Sequence, residues 1–543
     1  MVKKDIIITS ALPYANGDLH LGHILEFIQT DIWVRYNKQI GNNCFYISGI
    51  DAHGTPVMLD SISKNISSDE LINIYYKSHK SDIDSFYIDI DNYYTTHSLE
   101  NKDLVLTLFK YLTENNLIFT ENIYQLYDVK KSMFLPDRYI TGKCPRCLYF
   151  DKCSDICSRC NYKYNSLELV DPISVVSDTV PIKKKTKQYF FNLKKFKDFL
   201  ETWCKNSISQ IQIINKLQEW FDSGLKNWDI SRESPYFGFK IPGEDNKYFY
   251  VWLDAPIGYM ASFKNLSDKI GLNFFDYWGK NSKVELYHFI GKDIIYFHTL
   301  FWPALLKGCD LKLPNDIYAH GFLTINGKKM SKSNGTFITA KKFLKILNPE
   351  YLRYYYASKL NNDLSDIDLN FCDFKNKINS DLIGKFINII SRCCKFINTN
   401  FNDMLSKNII GDNPLFNNFL LDSEKIRNLY QHRQYSFVVN KIMKLATDIN
   451  IYIDDKKPWV LIKNKESLNY AQEVCTYSIN LFIILIINIK PILPSFARDV
   501  EVFFDLPDLT WENFKYPLCS KKIPKYKYFF SRINDEDIKY LSE

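Results

Sequence analysis

The apolar positions near the N-terminus follow two different periods. A short apolar run from Ile6 to Ile8 predicts a buried strand over residues 5–9, and another predicts a strand from Cys44 to Ile47. Between them, apolar residues recur every three or four positions and predict a helix from about residue 21 to 38: Leu21, Ile24, Leu25, Ile28 and Ile32. Strand, loop, helix and strand in this order open a doubly wound α/β domain with a parallel sheet.

The pattern changes twice further along the chain. Residues 116–235 hold a cysteine cluster, a lysine run at 183–187 and short strand-like pieces such as Gln188 to Asn192, so we interpret them as an insertion. After about residue 340 nearly every segment is helical. Between these regions the strand pattern returns in three places: Tyr248–Trp252, Glu285–Ile290 and Asp316–Ala319. We therefore predict a Rossmann-like α/β catalytic domain with an insertion, followed by an all-α helix-bundle domain.

The predicted domain boundaries follow these changes in pattern. The length of 543 residues suits about three to five domains. We expect a catalytic domain in two halves, 1–115 and 236–325, with an insertion between them at 116–235. A connecting region with a lysine-rich loop follows at 326–380, and a helical domain follows at 381–543.

Composition narrows the class of protein. A hydrophobic content of 46% excludes global disorder, and the net charge of +7 is compatible with a polyanionic partner. The run from Ile6 to Ile8 is too short for a secretory signal. The longest apolar run, Ile479 to Ile489, is shorter than the ~20 residues of a membrane span and predicts a buried helix. An odd, mostly dispersed set of 13 cysteines indicates a reducing cytoplasm.

Four cysteines predict a metal site inside the insertion. They form two C-x-x-C pairs, Cys144 with Cys147 and Cys157 with Cys160. Four thiolates make a closed tetrahedral site, so we predict one structural Zn²⁺ without a catalytic role. Cys153 is an additional thiol that could compete with Cys157.

Two distant segments carry residues suited to phosphate chemistry. His20-Leu21-Gly22-His23 opens the predicted helix, where free backbone N–H groups favour phosphates. Gly22 leaves room for a nucleotide against the backbone. Lys329-Met330-Ser331-Lys332-Ser333 lies between Gly327 and Gly335, and two ammonium groups on such a loop suit pyrophosphate. The second segment is not a P-loop, because Lys328 is followed by Lys and not by Ser or Thr.

Together these segments resemble the two signature sequences of class I aminoacyl-tRNA synthetases. The resemblance narrows to the methionyl-tRNA synthetases through four further segments: Ala11–Gly17, Asp51–Thr55, Trp252–Tyr259 and Gly291–Asp293 with His298. It implies activation of L-methionine with Mg²⁺-ATP to methionyl-adenylate and pyrophosphate. Methionine then passes to the 3′ adenosine of initiator and elongator tRNA(Met).

The resemblance also assigns residues to each part of the reaction. The implied catalytic residues are His20, His23, Lys329 and Lys332, acting by positioning and charge stabilisation. ATP is expected at His20, Gly22, His23, Gly291, Asp293, His320, Leu323 and Lys332, with Asp293 on the ribose and His320 on the adenine side. Methionine is expected at Leu12, Tyr14, Asp51, Trp252, Ala255, Pro256, Tyr259, Ile294 and His298. Aromatic walls suit its sulfur, Asp51 suits its ammonium, and His298 could bond Tyr259 or approach the sulfur.

The helical domain supplies candidate tRNA contacts. A helix predicted from about Asp381 to Ile397 carries a basic face with Lys385, Arg392 and Lys395. The resemblance assigns the anticodon to Asn388, Arg392 and Trp459. It also implies that residues 326–380 contact the tRNA stem, while the lysine run 183–187 is either near the acceptor stem or a solvated loop.

Three alternatives stay open at this point. Another class I synthetase, for isoleucine, valine, leucine or cysteine, would need a larger editing insertion or zinc ligands around its amino-acid pocket. A nucleotidylyltransferase of the same fold also uses paired histidines, and a non-enzymatic zinc protein could bind RNA. Because longer methionyl enzymes add a C-terminal dimer-forming domain that this sequence does not contain, we expect a monomer.

Overall fold

A computed structural model gives the fold. It describes residues 3–136, 139–152, 157–160, 162, 164–331, 335–408, 414–512 and 517–542. Lys332, Ser333 and Cys153, which the sequence singles out, lie outside the described residues.

The strands and helices are as follows. The strands are β1 (Asp5–Ser10), β2 (Asn43–Ile50), β3 (Asn92–Thr95), β4 (Ile118–Asp128), β5 (Met133–Phe134), β6 (Ile140–Lys143), β7 (Phe150–Lys152), β8 (Val170–Ser174), β9 (Ile182–Phe191), β10 (Trp228–Asp229), β11 (Ser231–Glu233), β12 (Lys247–Phe249), β13 (Glu285–Gly291), β14 (Asp316–His320), β15 (Leu323–Ile325), β16 (Lys328–Lys329) and β17 (Ile367–Leu369). The α-helices are α1 (Leu21–Gln39), α2 (Thr55–Lys64), α3 (Ser68–Ser85), α4 (Leu99–Glu114), α5 (Lys197–Ser207), α6 (Ile211–Ser223), α7 (Val251–Ile270), α8 (Phe274–Trp278), α9 (Trp302–Gly308), α10 (Ala340–Ile346), α11 (Pro349–Ala357), α12 (Phe371–Asn376), α13 (Asn388–Asn400), α14 (Pro414–Gln431), α15 (Tyr435–Lys456), α16 (Pro458–Leu461), α17 (Leu468–Ile489), α18 (Pro494–Phe503) and α19 (Asp535–Ser542).

The catalytic domain is built on a parallel sheet with strand order β14-β13-β1-β2-β3. The sheet is buried on both faces, and the side-chain period of two divides β1 between two cores. Ile6 and Ile8 belong to the core that contains α1, whereas Ile7 belongs to the core that contains α7 and α9. The strand order reverses between β1 and β13, which is where ligands bind in open α/β sheets. The predicted doubly wound fold is confirmed.

The insertion forms two small antiparallel sheets. The long pair β4 and β9 is joined by β5 and β10, and β6 is flanked by β7 and β8. The lysine run 183–187 therefore lies on β9 and not in a loop, because its backbone pairs with β4 from Asn122 to Leu126. Lys184 lies 3.8 Å from the centre of the Tyr127 ring and covers it.

The C-terminal part is helical, as predicted. In the part of the chain that the structure describes, one stretch, Lys465–Ile489, is long and apolar enough to cross a membrane by length and composition. Its apolar window is 89% buried inside the protein, which is typical of a core helix. It packs against α13, α14 and α15, so the predicted buried helix is present.

Two predicted elements differ in the structure. The pattern at Tyr248–Trp252 predicts a strand, but β12 ends at Phe249 and α7 begins at Val251, because a continuous apolar run has no period that separates strand from helix. The helix predicted from Asp381 to Ile397 is π-helical over Lys377–Ile387 and α-helical only from Asn388. The spacing of apolar residues does not distinguish this wider π-helical turn from an α-helical turn.

Candidate active site

The two histidines of the first segment cap α1 and stack on each other. His20 is the N-cap, and its Nδ1 accepts hydrogen bonds from the backbone N–H groups of Gly22 at 3.1 Å and His23 at 3.4 Å. His23 Nδ1 accepts from the backbone N–H of His20 at 3.3 Å. The ring centroids are 3.7 Å apart and nearly parallel. The sequence folds this way because the imidazoles take the reciprocal capping role usually played by Ser and Glu.

These bonds fix the tautomers of both rings. Burial lowers the pKa of His20 to about 4 and that of His23 well below its ordinary value, the latter with a further contribution from His20. Both rings are therefore neutral near pH 7. Because each Nδ1 is an acceptor, each Nε2 carries the proton and can donate a hydrogen bond to an anion.

The lysine-rich segment returns to these histidines. A Cβ placed on Gly22 would lie 3.2 Å from Met330 Cε, so the two segments are in contact. Beyond the loop, the backbone N–H of Leu21 donates to the Ile338 carbonyl at 3.1 Å. Lys329 is exposed at the end of β16. The structure thus brings the lysine-rich segment to the histidines through Met330, the residue after Lys329, while Lys332 lies outside the described residues.

The residues expected at the nucleotide lie at the carboxyl ends of two neighbouring strands. Gly291 of β13 is paired with His320 of β14. A Cβ on Gly291 would lie 2.6 Å from Asp293 Oδ1, so this carboxylate folds back over the backbone of Gly291 at the strand end. His320 is buried, and its Nε2 lies 3.6 Å from Glu26 Oε2. Leu323 is buried on β15, which directly follows.

Asp51 lies at the end of β2 against the loop that follows β1. Its backbone N–H donates to the Pro13 carbonyl at 2.9 Å, and its carbonyl accepts from Ala15 at 2.8 Å. Tyr14 Oη donates to the His53 carbonyl. Among the described residues, Asp51 Oδ1 is buried without a hydrogen-bond partner. Burial, and after it the charge of Asp254, raises the pKa of Asp51 well above its ordinary value.

The expected methionine residues come mainly from α7 and from the π-helical turn Phe297–Phe301. Tyr259 and His298 are buried, and Tyr259 Oη lies 3.0 Å from His298 Nε2. His298 Nδ1 lies 3.1 Å from the Ile294 carbonyl, which can only accept a hydrogen bond, so Nδ1 carries the proton. Because burial lowers the pKa of His298 to about 4, the ring is neutral, Nε2 is the acceptor and Tyr259 donates. The sequence left two roles for His298, a bond to Tyr259 or an approach to the methionine sulfur, and the structure shows the bond to Tyr259.

The other residues expected at methionine lie around α7 and the end of β13. A Cβ on Gly258 would lie 3.2 Å from Leu12 Cδ1, so α7 packs directly on the loop after β1. Ala255 and Pro256 lie in the first turns of α7 beside Trp252, and Ile294 is half-buried after β13.

A cavity of about 1300 Å³ opens beside Asp51. Tyr14, Asp51 and Trp252 line it from the catalytic domain, and residues 124–126, 134–136 and 164–168 line it from the insertion. The insertion therefore forms one wall of the space next to the candidate amino-acid site.

The residues of this region that the sequence analysis did not predict are Trp228, Arg232, Phe297 and Phe301. Trp252 packs on Phe297 with ring centroids 4.8 Å apart, and Trp228 lies 6.0 Å from Trp252 and 5.0 Å from Phe301. Arg232 lines the cavity and lies 3.4 Å from the centre of the Tyr250 ring. The spacing of Phe297 and Phe301, one helical turn apart around His298, is the only signal that could have identified any of them.

The four cysteines of the insertion converge on one point. Their Sγ atoms all lie within 4.8 Å of one another, with Cys144 and Cys160 at 3.7 Å and Cys147 and Cys157 at 3.6 Å. A zinc tetrahedron with Zn–S of about 2.3 Å has edges of about 3.8 Å, so the donor set fits this ion. Hydrogen bonds to Cys157, first from the backbone of Cys160, lower the pKa of its thiol.

The expected anticodon residues also form one surface. Arg392 lies on α13 one turn after Asn388, and its guanidinium carbon is 5.2 Å from the centre of the Trp459 ring. Trp459 is 41% exposed. Arg392 also donates to Asp454 Oδ1 at 2.6 Å, so a nucleic acid would have to compete with this carboxylate.

Comparisons with known proteins bear on the family and the fold. The family model for class I tRNA synthetases (M) matches residues 6–394. Among solved structures, the methionyl-tRNA synthetase of Mycobacterium tuberculosis in complex with methionyl-adenylate aligns with a TM-score of 0.80 at 22% identity, covering 96% of this chain and 99% of that chain. The free-state form of the enzyme from the same organism aligns with a TM-score of 0.74 at 19% identity, covering 98% of this chain and 99% of that chain. Both share the fold of this chain.

Proposed function

This chain belongs to the class I tRNA synthetases (M), and we propose that it is a methionine–tRNA ligase that charges initiator and elongator tRNA(Met). The observation that carries the proposal is the position of Asp51. One of its carboxylate oxygens is buried without a hydrogen-bond partner among the described residues, and Asp51 lines the cavity between the catalytic domain and the insertion. Such a group suits the ammonium of a free amino acid.

Methionine would lie between Asp51 and the aromatic residues of α7. Its ammonium would pair with the Asp51 carboxylate. Its thioether would pack against Trp252 and near the Tyr259 hydroxyl, which His298 holds in place. Contacts between sulfur and aromatic rings contribute about 0.3–1.5 kcal/mol each.

ATP would lie across the carboxyl ends of β1, β13 and β14. The Nε2–H groups of His20 and His23 would donate to phosphate oxygens as the methionine carboxylate attacks the α-phosphate. Lys329, with Lys332 on sequence grounds, would stabilise the charge on the leaving pyrophosphate. Bound Mg²⁺ would shield the triphosphate charge. No nucleophile from the chain is required, so positioning and charge stabilisation carry the step.

Zinc would have a structural role. Cys144, Cys147, Cys157 and Cys160 would use all four positions of the ion and leave none for water. Its effect would be to hold β6–β8 together, and with them the wall of the cavity that residues 164–168 form. The free cysteines among the described residues are compatible with a cytoplasmic location.

The decisive experiment is ATP–pyrophosphate exchange with each of the twenty amino acids. Exchange that depends on methionine supports the proposal. Exchange with isoleucine, valine, leucine or cysteine instead would assign another class I enzyme. No exchange with any of them, in zinc-loaded protein, would favour a nucleotidylyltransferase or an RNA-binding role.

A substitution in the second signature segment tests the role of the lysines. Lys332→Ala should strongly reduce adenylate formation and leave methionine binding nearly unchanged, because the lysine would act on the leaving group. Near-normal turnover in this variant would contradict the assigned role. Methionine binding by calorimetry provides the folding control.

A further inference from the structure

The outer edge of β14 is covered by a glutamine side chain. β14 is an end strand of the parallel sheet, and the edge of a sheet presents backbone groups that need partners. The N–H of Ala319 donates to Gln210 Oε1 at 2.7 Å, and the Ala319 carbonyl accepts from Gln210 Nε2 at 2.9 Å. Ala319 is 1% exposed and Gln210 is 4% exposed. At this position the carboxamide takes the place of a further strand.

The helix that Gln210 begins does not explain why this residue is glutamine. Gln210 is the N-cap of α6, a position where Ser, Thr, Asp or Asn usually caps the helix through its side chain. The Gln210 side chain makes no such bond, and its backbone carbonyl accepts from the N–H of Ile213 at 3.0 Å. A carboxamide places an acceptor beside a donor, as a peptide group of a neighbouring strand would. Glutamine therefore suits the strand edge and not the helix end.

The elements on both sides of Gln210 hold it against β14. The N–H of Ser209 donates to Asp316 Oδ1 at 3.1 Å, and the same oxygen accepts from the N–H of Ile317 at 2.8 Å. After Gln210, α6 packs into the core that also contains α7 and α9, through Ile213, Leu217 and Phe221. The carboxamide is thus fixed by a bond to the start of β14 and by a packed helix.

The candidate adenine site directly follows the residue that Gln210 holds. His320 comes after Ala319 and is paired with Gly291 of β13. At the next position, a Cβ on Gly321 would lie 2.1 Å from the Ser365 carbonyl oxygen, so the two backbones are in close contact. The end of β14 is therefore held by β13 on one side and by the Ser365 backbone beyond it, and Gln210 holds its outer side.

We propose that Gln210 is a positioning residue for the nucleotide, because it closes the edge of β14 and so fixes His320 where the adenine would lie. The inference rests on the proposed function for the place of the nucleotide at the ends of β13 and β14. Gln210 acts through the strand and not by touching substrate. Without its carboxamide, a buried N–H and a buried carbonyl would lose their partners, and β14 would have to shift or admit water to satisfy them.

The first experiment measures ATP–pyrophosphate exchange in Gln210→Met, with ATP and methionine varied in turn. The methionine side chain is similar in length and shape to glutamine but has no amide, so packing is kept and both hydrogen bonds are lost. The kcat/KM for ATP should fall about 10–100-fold through KM, since a misplacement of about 1 Å can cost about 10²-fold. The KM for methionine should stay unchanged. Gln218→Met, the same substitution on the exposed face of α6, is the matched control.

A double-mutant cycle separates positioning from general support of the fold. If Gln210 acts through His320, Gln210→Met should change the KM for ATP little further in a His320→Ala background. Fully additive effects of the two substitutions would overturn the proposal, as would a lower kcat with an unchanged KM for ATP. If Gln210→Met does not fold, Gln210→Asn replaces it, because its amide is one methylene too short to keep both bonds. A wild-type KM for ATP in Gln210→Asn would also refute the role.

Two measurements without the reaction complete the test. Hydrogen–deuterium exchange in ligand-free protein should be faster over residues 316–320 in Gln210→Met and unchanged in Gln218→Met, because the Ala319 N–H loses its acceptor. ATP binding, followed by calorimetry, should weaken in Gln210→Met, and an unchanged ATP affinity would overturn the proposal. If wild-type protein binds ATP but lacks methionine-dependent exchange, the proposed function fails, and the calorimetry still decides the role of Gln210. Wild-type protein that binds no ATP would overturn both.

Discussion

Arg353 of α11 joins three parts of the molecule, and we expect its removal to be severely destabilising. The side chain is completely buried. It donates to Asp31 Oδ2 on α1 at 2.6 Å and to the carbonyls of Phe86 at 3.2 Å, Pro491 at 3.0 Å and Ile492 at 2.8 Å. The helix α1, the end of α3 and the turn between α17 and α18 therefore meet at one guanidinium.

The cost of Arg353→Met follows from the partners that it leaves behind. Breaking a buried ion pair costs about 3–5 kcal/mol when the remaining charge is uncompensated. Here Arg35 still bonds Asp31 at 2.7 Å, so the ionic part should be about 2 kcal/mol. Three buried carbonyls lose a donor at about 1 kcal/mol each. The expected total of about 5 kcal/mol equals the entire stability of many domains.

The pH dependence of this loss has a definite sign. Burial acts to raise the pKa of Asp31, but Arg35 and Arg353 outweigh it and hold the pKa below its ordinary value. Asp31 therefore contributes stability that is present above the ordinary carboxyl pKa and is lost as pH falls through the folded pKa. Arg353→Met raises that folded pKa. The difference between wild type and variant should be full at neutral pH and shrink below about pH 4.

The assay is urea unfolding followed by tryptophan fluorescence, at equal protein concentrations. Arg427→Met is the matched control, because Arg427 pairs with the exposed Glu424 and should cost less than about 1 kcal/mol. A second readout compares tRNA charging with pyrophosphate exchange, and charging should fall further because α1 is uncoupled from the helical domain. A loss in Arg353→Met no larger than in Arg427→Met would refute the reasoning.

Three further predictions concern the candidate sites. Cys144→Ser should abolish stoichiometric zinc in metal analysis and lower the unfolding temperature, and wild-type protein without metal would contradict the site. Trp459→Ala should remove about 1–3 kcal/mol of stacking with the tRNA, which lowers kcat/KM for tRNA charging and spares pyrophosphate exchange. Equal losses in both assays would indicate misfolding. Because burial raises the pKa of Asp51 and methionine requires its ionised form, KM for methionine should fall as pH rises from about 5.5 to 8.5, and a KM that rises instead would exclude this role.

Much of the fold was predictable because its signals are local. The period of apolar residues predicts β1, α1 and β2 to within a few residues, and the structure has them at Asp5–Ser10, Leu21–Gln39 and Asn43–Ile50. The prediction failed where the local signal was degenerate. The apolar run into α7 fits a strand as well as a helix, and α-helical spacing conceals the π-helical turn before Asn388.

The candidate site divides in the same way. The cysteine spacing predicts which thiols meet, because two C-x-x-C pairs can hold one ion between them, and the Sγ distances agree with it. The motif segments likewise identify His20, His23 and Lys329 from their order along the chain. The protonation state of each residue could not be predicted from the sequence, because it depends on neighbours that folding brings together from distant positions.

Asp51 is the clearest case of what the tertiary structure decided. The sequence by itself marks it as a carboxylate after a strand, ionised by default. Burial and the arrival of Asp254 from α7, 203 positions later, raise its pKa. Chemical identity is a property of the sequence, whereas desolvation and charge pairing exist only after folding has removed water and set the distances.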